Sequence, residues 1–422
     1  MEREDSLTTG TLISYVCPSE MIVTTKNRVE NIFQTFLKTE SVFKNKTLIS
    51  HTFIPTQILH RDREITTLSE ILAPALRGFQ PNNVFIYGTV GTGKTITAKF
   101  VLNELGRIAQ KNKLKLKTIY INAKMKKVSD TEYRILAQIL KELGVTVPET
   151  GISTNILYKK FFDRAAECSI ILVLDEIDTL FNKIGDDFLY NITRGDAKIT
   201  IVGITNNLKF HDLLDVRVRS SLSEEEIVFR PYDALQLRDI LMTRMGAFNY
   251  TIDDDVINKC SAIAAQEHGD ARRALELLRT SAEIAERQSD AVIVTHHVDL
   301  ANEKINSDRV IDTVRGQPIQ SQLILQAMIK LYERSKEKNN WADRRILGSD
   351  AFSVYKNSCD SRGLKPLTQR RVSDLINELE MLGIISTNIF SKGRYGRNRE
   401  IRFQLDESMV TKIQRVFLER DL

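Results

Sequence analysis

Gly88-Thr89-Val90-Gly91-Thr92-Gly93-Lys94-Thr95 stands between the apolar run Val84-Phe85-Ile86-Tyr87 and a stretch of helical periodicity over residues 94–110. The eight residues satisfy GxxxxGK[ST] in full, in the strand–turn–helix setting that the motif's mechanism requires. Its glycines let successive backbone N–H groups close around phosphate oxygens, and the N-terminus of the following helix adds partial positive charge. Lys94 is placed to reach the β- and γ-phosphates of ATP, and Thr95 to hold Mg²⁺. Gly88 to Thr95, with Ile96, form the expected nucleotide cradle.

Ile170-Ile171-Leu172-Val173-Leu174-Asp175-Glu176 supplies the second half of such a site. An apolar strand delivers two carboxylates to its C-terminal end, where ligands sit in open α/β sheets. Asp175 is expected to assist Mg²⁺ and Glu176 to polarise the attacking water. Asp178 reads as an exposed acid or helix cap. The next strand, residues 199–204, ends in Thr205-Asn206-Asn207; Asn206 is the candidate for orienting that water, with Asn207 behind it. In Asp215-Val216-Arg217-Val218-Arg219-Ser220-Ser221, one arginine suits a finger onto a neighbouring subunit's ATP; Arg217 is favoured over Arg219. Gly269-Asp270-Ala271-Arg272-Arg273 opens a later helix, from which Arg272 can reach the phosphates and Arg273 is the fallback.

Strand-sized runs at residues 84–87, 118–121, 170–174 and 199–204 alternate with helical patterns at 63–76, 94–110, 131–143 and 155–167. That alternation predicts an α/β fold, a parallel sheet with helices on both faces. Beyond Pro231 the strand signal fades and residues 234–245, 253–268 and 271–287 read as helices. The expected units are an N-terminal extension (1–54, with one amphipathic helix over 26–38), a nucleotide-binding base (55–232), an all-α lid (233–310), a linker over 308–318 and a C-terminal unit (318–422). The chain has 422 residues, a net charge of +5 and 42% hydrophobic content, ordinary for a globular protein. No apolar run approaches a membrane span and the charged N-terminus is not a secretory signal, so a cytoplasmic, nucleoid-associated protein with no membrane partner is expected. The four cysteines are scattered without a CxxC pair, which argues against zinc and disulfide frameworks.

The C-terminal unit reads as a winged helix. A turn at Gly363-Leu364-Lys365-Pro366 precedes a helix, residues 367–382, that is expected to bury Val372, Leu375, Ile376, Leu379 and Leu382. Thr368 suits the N-cap, and the first turn, Gln369, Arg370, Arg371 and Ser373, suits entry into a major groove. Two strands, 384–390 and 400–404, flank a wing carrying Lys392, Arg394, Tyr395, Arg397 and Arg399, which can grip phosphates or enter a minor groove.

Taken in this order, the motifs resemble a AAA+ ATPase. His60-Arg61-Asp62-Arg63-Glu64, Leu72-Ala73-Pro74-Ala75-Leu76-Arg77-Gly78 and Pro81-Asn82-Asn83-Val84-Phe85-Ile86-Tyr87-Gly88 resemble, more narrowly, the archaeal origin-recognition and cell-division-control replication initiators. The resemblance covers residue 55 to the C-terminus. It implies a AAA+ base, lid and winged helix, with ATP/ADP and Mg²⁺ as cofactors. It also implies origin double-stranded DNA, a replicative helicase and paralogous initiators bound side by side as partners. A helical insertion after the second strand is implied to touch DNA near Lys124-Met125-Lys126-Lys127 and Tyr133-Arg134, with Lys126 and Arg134 as its contacts. The chain departs from the family pattern at Val216, where a proline usually precedes the finger arginine, and in its longer N-terminal extension. Two other functions fit the same nucleotide motifs: a protein-remodelling or clamp-loader-like AAA+ factor whose winged helix docks protein, and a signalling NTPase that regulates transcription.

Overall fold

The computed structural model describes residues 40–50, 53–124, 131–148, 151–195, 197–250, 252–290, 292–337, 346–391 and 397–418, with residues 30, 33, 34 and 37. Most of the amphipathic segment at 26–38 therefore lies outside the described residues. The chain divides into two compact units, Met1–Val298 and Asp299–Leu422.

The first unit is built on five parallel strands: β1 (Asn83–Gly88), β2 (Leu116–Asn122), β3 (Ser169–Asp175), β4 (Ile199–Thr205) and β5 (Glu224–Phe229). They lie in the order β2-β3-β4-β1-β5. Side chains alternate across a strand, so each strand feeds two cores. Phe85, Leu172, Leu174 and Ile201 face one side, against Ile135, Leu136 and Ile139 of α3 (Glu132–Glu142) and Leu157 and Phe161 of α4 (Thr154–Ala165). Val84, Ile86, Ile171, Val173 and Ile204 face the other, against Leu68 and Leu72 of α1 (Asp62–Leu72) and Val101, Leu102 and Leu105 of α2 (Lys94–Lys111). Burial on both faces is why β1, β3 and β4 read as unbroken apolar runs. The edge strand β5 lacks that signal. It opens Glu224-Glu225-Glu226 and buries only Ile227 and Phe229, so alternation marks it weakly and the sequence reading passed it by.

Short helices α5 (Ile177–Ile184), α6 (Asp187–Thr193), α7 (Phe210–Leu213) and α8 (Val216–Leu222) follow the strand ends. The lid contains α9 (Ala234–Met242), α10 (Asp254–Gln266) and α11 (Ala271–Gln288). Each starts on an aspartate that accepts a backbone N–H: Asp233 in a capping box with Gln236, Asp253, and Asp270. The N-terminal extension is not wholly a free polar arm. Lys44 N and Asn45 N donate to Ala247 O at 2.8 and 3.0 Å, Asn249 N donates to Val42 O at 3.0 Å, and Lys46 pairs with Glu283 at 2.6 Å. Residues 40–50 are thereby fastened to the lid.

The division between the units falls within α12 (Thr295–Gly316), which also occupies most of the stretch read as a linker. The second unit continues with α13 (Ile319–Glu337), β6 (Ile346–Leu347), α14 (Gly348–Asp360), α15 (Gln369–Met381), β7 (Ile385–Ser391), β8 (Arg397–Phe403) and α16 (Glu407–Leu418). β7 and β8 form an antiparallel hairpin, with β6 on the far edge of β8. Its core joins Leu323, Met328, Tyr355, Leu375, Leu379, Ile401 and Ile413. No helix among the described residues is long and apolar enough to cross a membrane.

Candidate functional site

The phosphate loop occupies the turn between β1 and α2. Gly91 has φ +76°, and a Cβ there would fall 1.6 Å from Asp270 Oδ1. Gly93 has φ +90°, with the Tyr232 hydroxyl 2.7 Å from where a Cβ would stand. The motif's glycines therefore serve a left-handed backbone and let the lid's residue Asp270 touch the loop. Ala271 N donates to Gly91 O at 3.2 Å, so α11 begins directly on the phosphate loop.

Lys94 is 6% exposed and its Nζ donates to Gly88 O (2.8 Å), Thr89 O (2.7 Å) and Asn206 Oδ1 (2.9 Å). Burial lowers its pKa to about 8, against the opposing pull of Asp175 and Glu176. Asn206 Nδ2 donates in turn to Glu176 Oε2 at 2.9 Å, so one amide bridges the lysine and the carboxylate. Glu176 adopts left-handed backbone, φ 57°, a conformation that non-glycine residues hold mainly at functional sites. Its other carboxylate oxygen faces Lys124 Nζ at 3.7 Å. Asp175 is 4% exposed; its Oδ2 accepts from Thr95 Oγ1 (3.0 Å), Tyr120 OH (2.5 Å) and Asn122 Nδ2 (3.5 Å). Asp178 accepts from Thr205 Oγ1 at 3.1 Å and is half-buried, so it braces the end of β4. Asn207 serves the turn: its Oδ1 accepts from Lys209 N at 2.9 Å.

These groups line one cavity of about 480 Å³, together with Val90, Thr92, Gly93, Ile96 and Arg272. The two lid arginines part company. Arg272 lines the cavity, whereas Arg273 is 2% exposed and bonded to Glu267 at 2.8 and 3.1 Å. The two arginines of α8 part likewise. Arg217 is 72% exposed and held by Asp215 at 3.1 Å, whereas Arg219 donates to His211 O at 3.0 Å.

In the second unit, Thr368 caps α15, its hydroxyl accepting from Arg371 N at 3.4 Å. Thr368, Gln369, Arg370 and Arg371 are exposed; Ser373 is half-buried, and its carbonyl accepts from Arg399 at 3.3 Å. The helix buries Val372, Leu375, Ile376 and Leu379; Leu382 is its C-cap and remains 44% exposed, contrary to the periodicity reading, because the helix ends a residue earlier. Lys392, Arg394 and Tyr395 at the wing, the Arg397 side chain, and Lys126 in the insertion lie outside the described residues. Arg134 is exposed on the first turn of α3.

Three family descriptions match consecutive parts of the chain: an AAA domain over residues 77–210, the Cdc6 AAA+ ATPase-type lid domain over 238–303, and the CDC6 C-terminal winged helix domain over 312–413. An ORC1-type DNA replication protein of Thermococcus onnurineus is 48% identical over 402 residues, spanning 92% of this chain and 94% of its own. A second, from Archaeoglobus fulgidus, is 45% identical over 392 residues. The chain belongs to the ORC1-type DNA replication proteins. Among solved structures, the Aeropyrum pernix ORC1 protein in complex with DNA matches with TM-score 0.75 and 41% identity, covering 91% of this ORC1-type chain and all of that one. Cdc6p of Pyrobaculum aerophilum, at 22% identity and TM-score 0.55, shares the fold.

The sequence reading missed part of the site in this ORC1-type protein. Arg61 is 4% exposed; it donates to Thr92 O (3.0 Å) and Arg230 O (2.6 Å) and lies 3.9 Å from the Tyr232 ring. It ties the phosphate loop to the start of the lid. Tyr120, which donates to Asp175, carried no signal beyond its place at the end of an apolar strand. Phe53, Ile54, Ile58 and Leu59, from a segment without a motif, also line the cavity.

Proposed function

We propose that this ORC1-type initiator is an ATP-switched protein that binds origin double-stranded DNA and helps recruit or load the replicative helicase, with slow hydrolysis as the switch. One observation carries the switch: α11 starts on the phosphate loop, through Ala271 N to Gly91 O and Asp270 against Gly91. A ligand that holds the loop then also biases the lid. The chemistry of the cavity fits a nucleoside triphosphate. Lys94 would meet the phosphates from α2 and Arg272 from the lid. Thr95 and Asp175, 3.0 Å apart, form the hydroxyl–carboxylate pair that suits Mg²⁺. When bound, Mg²⁺ neutralises charge on the phosphates. Glu176 is the base for the attacking water, and the Asn206 amide orients both it and Lys94. Arg217, exposed and facing outward, is the better candidate to complete a neighbouring protomer's site; paralogous initiators side by side on DNA would provide such a neighbour.

The DNA grip is assigned to Thr368, Gln369, Arg370, Arg371 and Ser373 on α15 and to Lys392, Arg394, Tyr395, Arg397 and Arg399 of the wing. Lys126 and Arg134 add a second contact from the base. Support comes from the exposed, basic start of α15 and from the relative solved with DNA. Fluorescence-anisotropy titration of labelled duplex at two salt concentrations tests this. Salt-sensitive binding that weakens when Arg394 and Arg397 are both replaced by Ala is expected. Absence of duplex binding by the full chain would transfer the reading to a protein-directed AAA+ factor.

A further inference from the structure

The base-side wall of the nucleotide cavity holds a buried cation that the functions above leave unused. Arg244 follows α9 and caps the turn Met245–Ala247. It is 6% exposed, and its guanidinium lies 4.9 Å from the centre of the Phe53 ring. Its Nε has no hydrogen-bond partner, and no acid offsets the burial that lowers its pKa. A buried guanidinium without an anion or a full set of acceptors is costly. The cavity's other buried cation has no such deficit: Lys94 donates three hydrogen bonds.

Position decides what Arg244 is for. The phosphate loop fixes one end of the cavity at Gly91–Thr95. Arg244 lies in the wall with Ile54, Ile58, Leu59, Ile240 and Leu275, an apolar lining suited to a flat ring. A guanidinium offers donors only, and the acceptors a nucleotide brings to an apolar end are the ring nitrogens of its base. We propose that Arg244, braced on Phe53, donates a hydrogen bond to a ring nitrogen of the bound purine, so that lid and N-terminal segment together read the base while Lys94 and Arg272 read the phosphates.

The inference rests on the nucleotide reading of the cavity, and the test separates the two. The full-length chain and R244M are titrated calorimetrically with ATP, 2′-deoxy-ATP and inorganic tripolyphosphate. A charged hydrogen bond lost on R244M should weaken ATP and 2′-deoxy-ATP about ten- to hundredfold. Tripolyphosphate affinity should not change, and the nucleotide-free variant should melt no lower than the parent. Equal losses for ATP and tripolyphosphate, or no loss for ATP, would overturn the base contact. A loss confined to ATP and absent with 2′-deoxy-ATP would place the contact on the ribose and overturn it too. R244K, which keeps the charge but not the fork, should lose part of the ATP affinity and none of the tripolyphosphate affinity. A parent that binds neither ligand would instead sink the nucleotide reading itself.

Discussion

Lys94 concentrates the chemistry of the site, and its pH behaviour follows from where it is buried. Its folded pKa, about 8, lies below the usual 10.5. Between those values the unfolded chain binds more protons than the folded one, so stability attributable to this residue rises with pH over that window. Below pH 8 the buried charge is an uncompensated cost. Lys94→Met should therefore stabilise the nucleotide-free protein below pH 8, and the advantage should shrink from pH 8 to 10.5 in denaturant melts. Nucleotide affinity should move the other way, falling as pH rises above 8, because the amine must be protonated to meet phosphate. Glu176→Gln should keep ATP binding and lose turnover; parental turnover would refute its assignment as the base. Arg217→Ala should leave the melting temperature near the parental value, as its side chain is 72% exposed, and reduce only ATP turnover that depends on a neighbouring protomer. Arg219→Ala should lower the melting temperature instead.

At the scale of elements, legibility followed physical uniqueness. The phosphate loop and the Asp175–Glu176 strand were readable because phosphate wrapping and a doubly buried parallel strand each demand an uncommon residue pattern. β5 was not, because an edge strand with Glu224, Glu225 and Glu226 alternates too little. Arg61 and Arg244 were not, since nothing local distinguishes an arginine buried by the tertiary fold from one on a surface. The choices between Arg272 and Arg273, and between Asn206 and Asn207, turned on which side of a helix or turn faced the cavity. Two element-level tests follow. Gly91→Ala puts a methyl into Asp270 and should push the lid off the loop, weakening nucleotide binding in a titration. Thr368→Ala removes the cap of α15 and should cost about 1 kcal/mol of stability in chemical denaturation.

At the scale of the molecule, the nucleotide site is complete within Met1–Val298, and the DNA-facing helix lies within Asp299–Leu422. The central claim is that nucleotide state, sensed by the lid through α11, changes how the chain holds duplex DNA. The most direct measurement is duplex affinity by anisotropy with ATP and with ADP, for Glu176→Gln, which holds ATP unhydrolysed, and for Glu176→Gln combined with Arg272→Ala. A difference between the two nucleotides in the first protein that shrinks when Arg272 is removed is the expected result. Equal affinity with ATP and ADP in the first protein would contradict the switch.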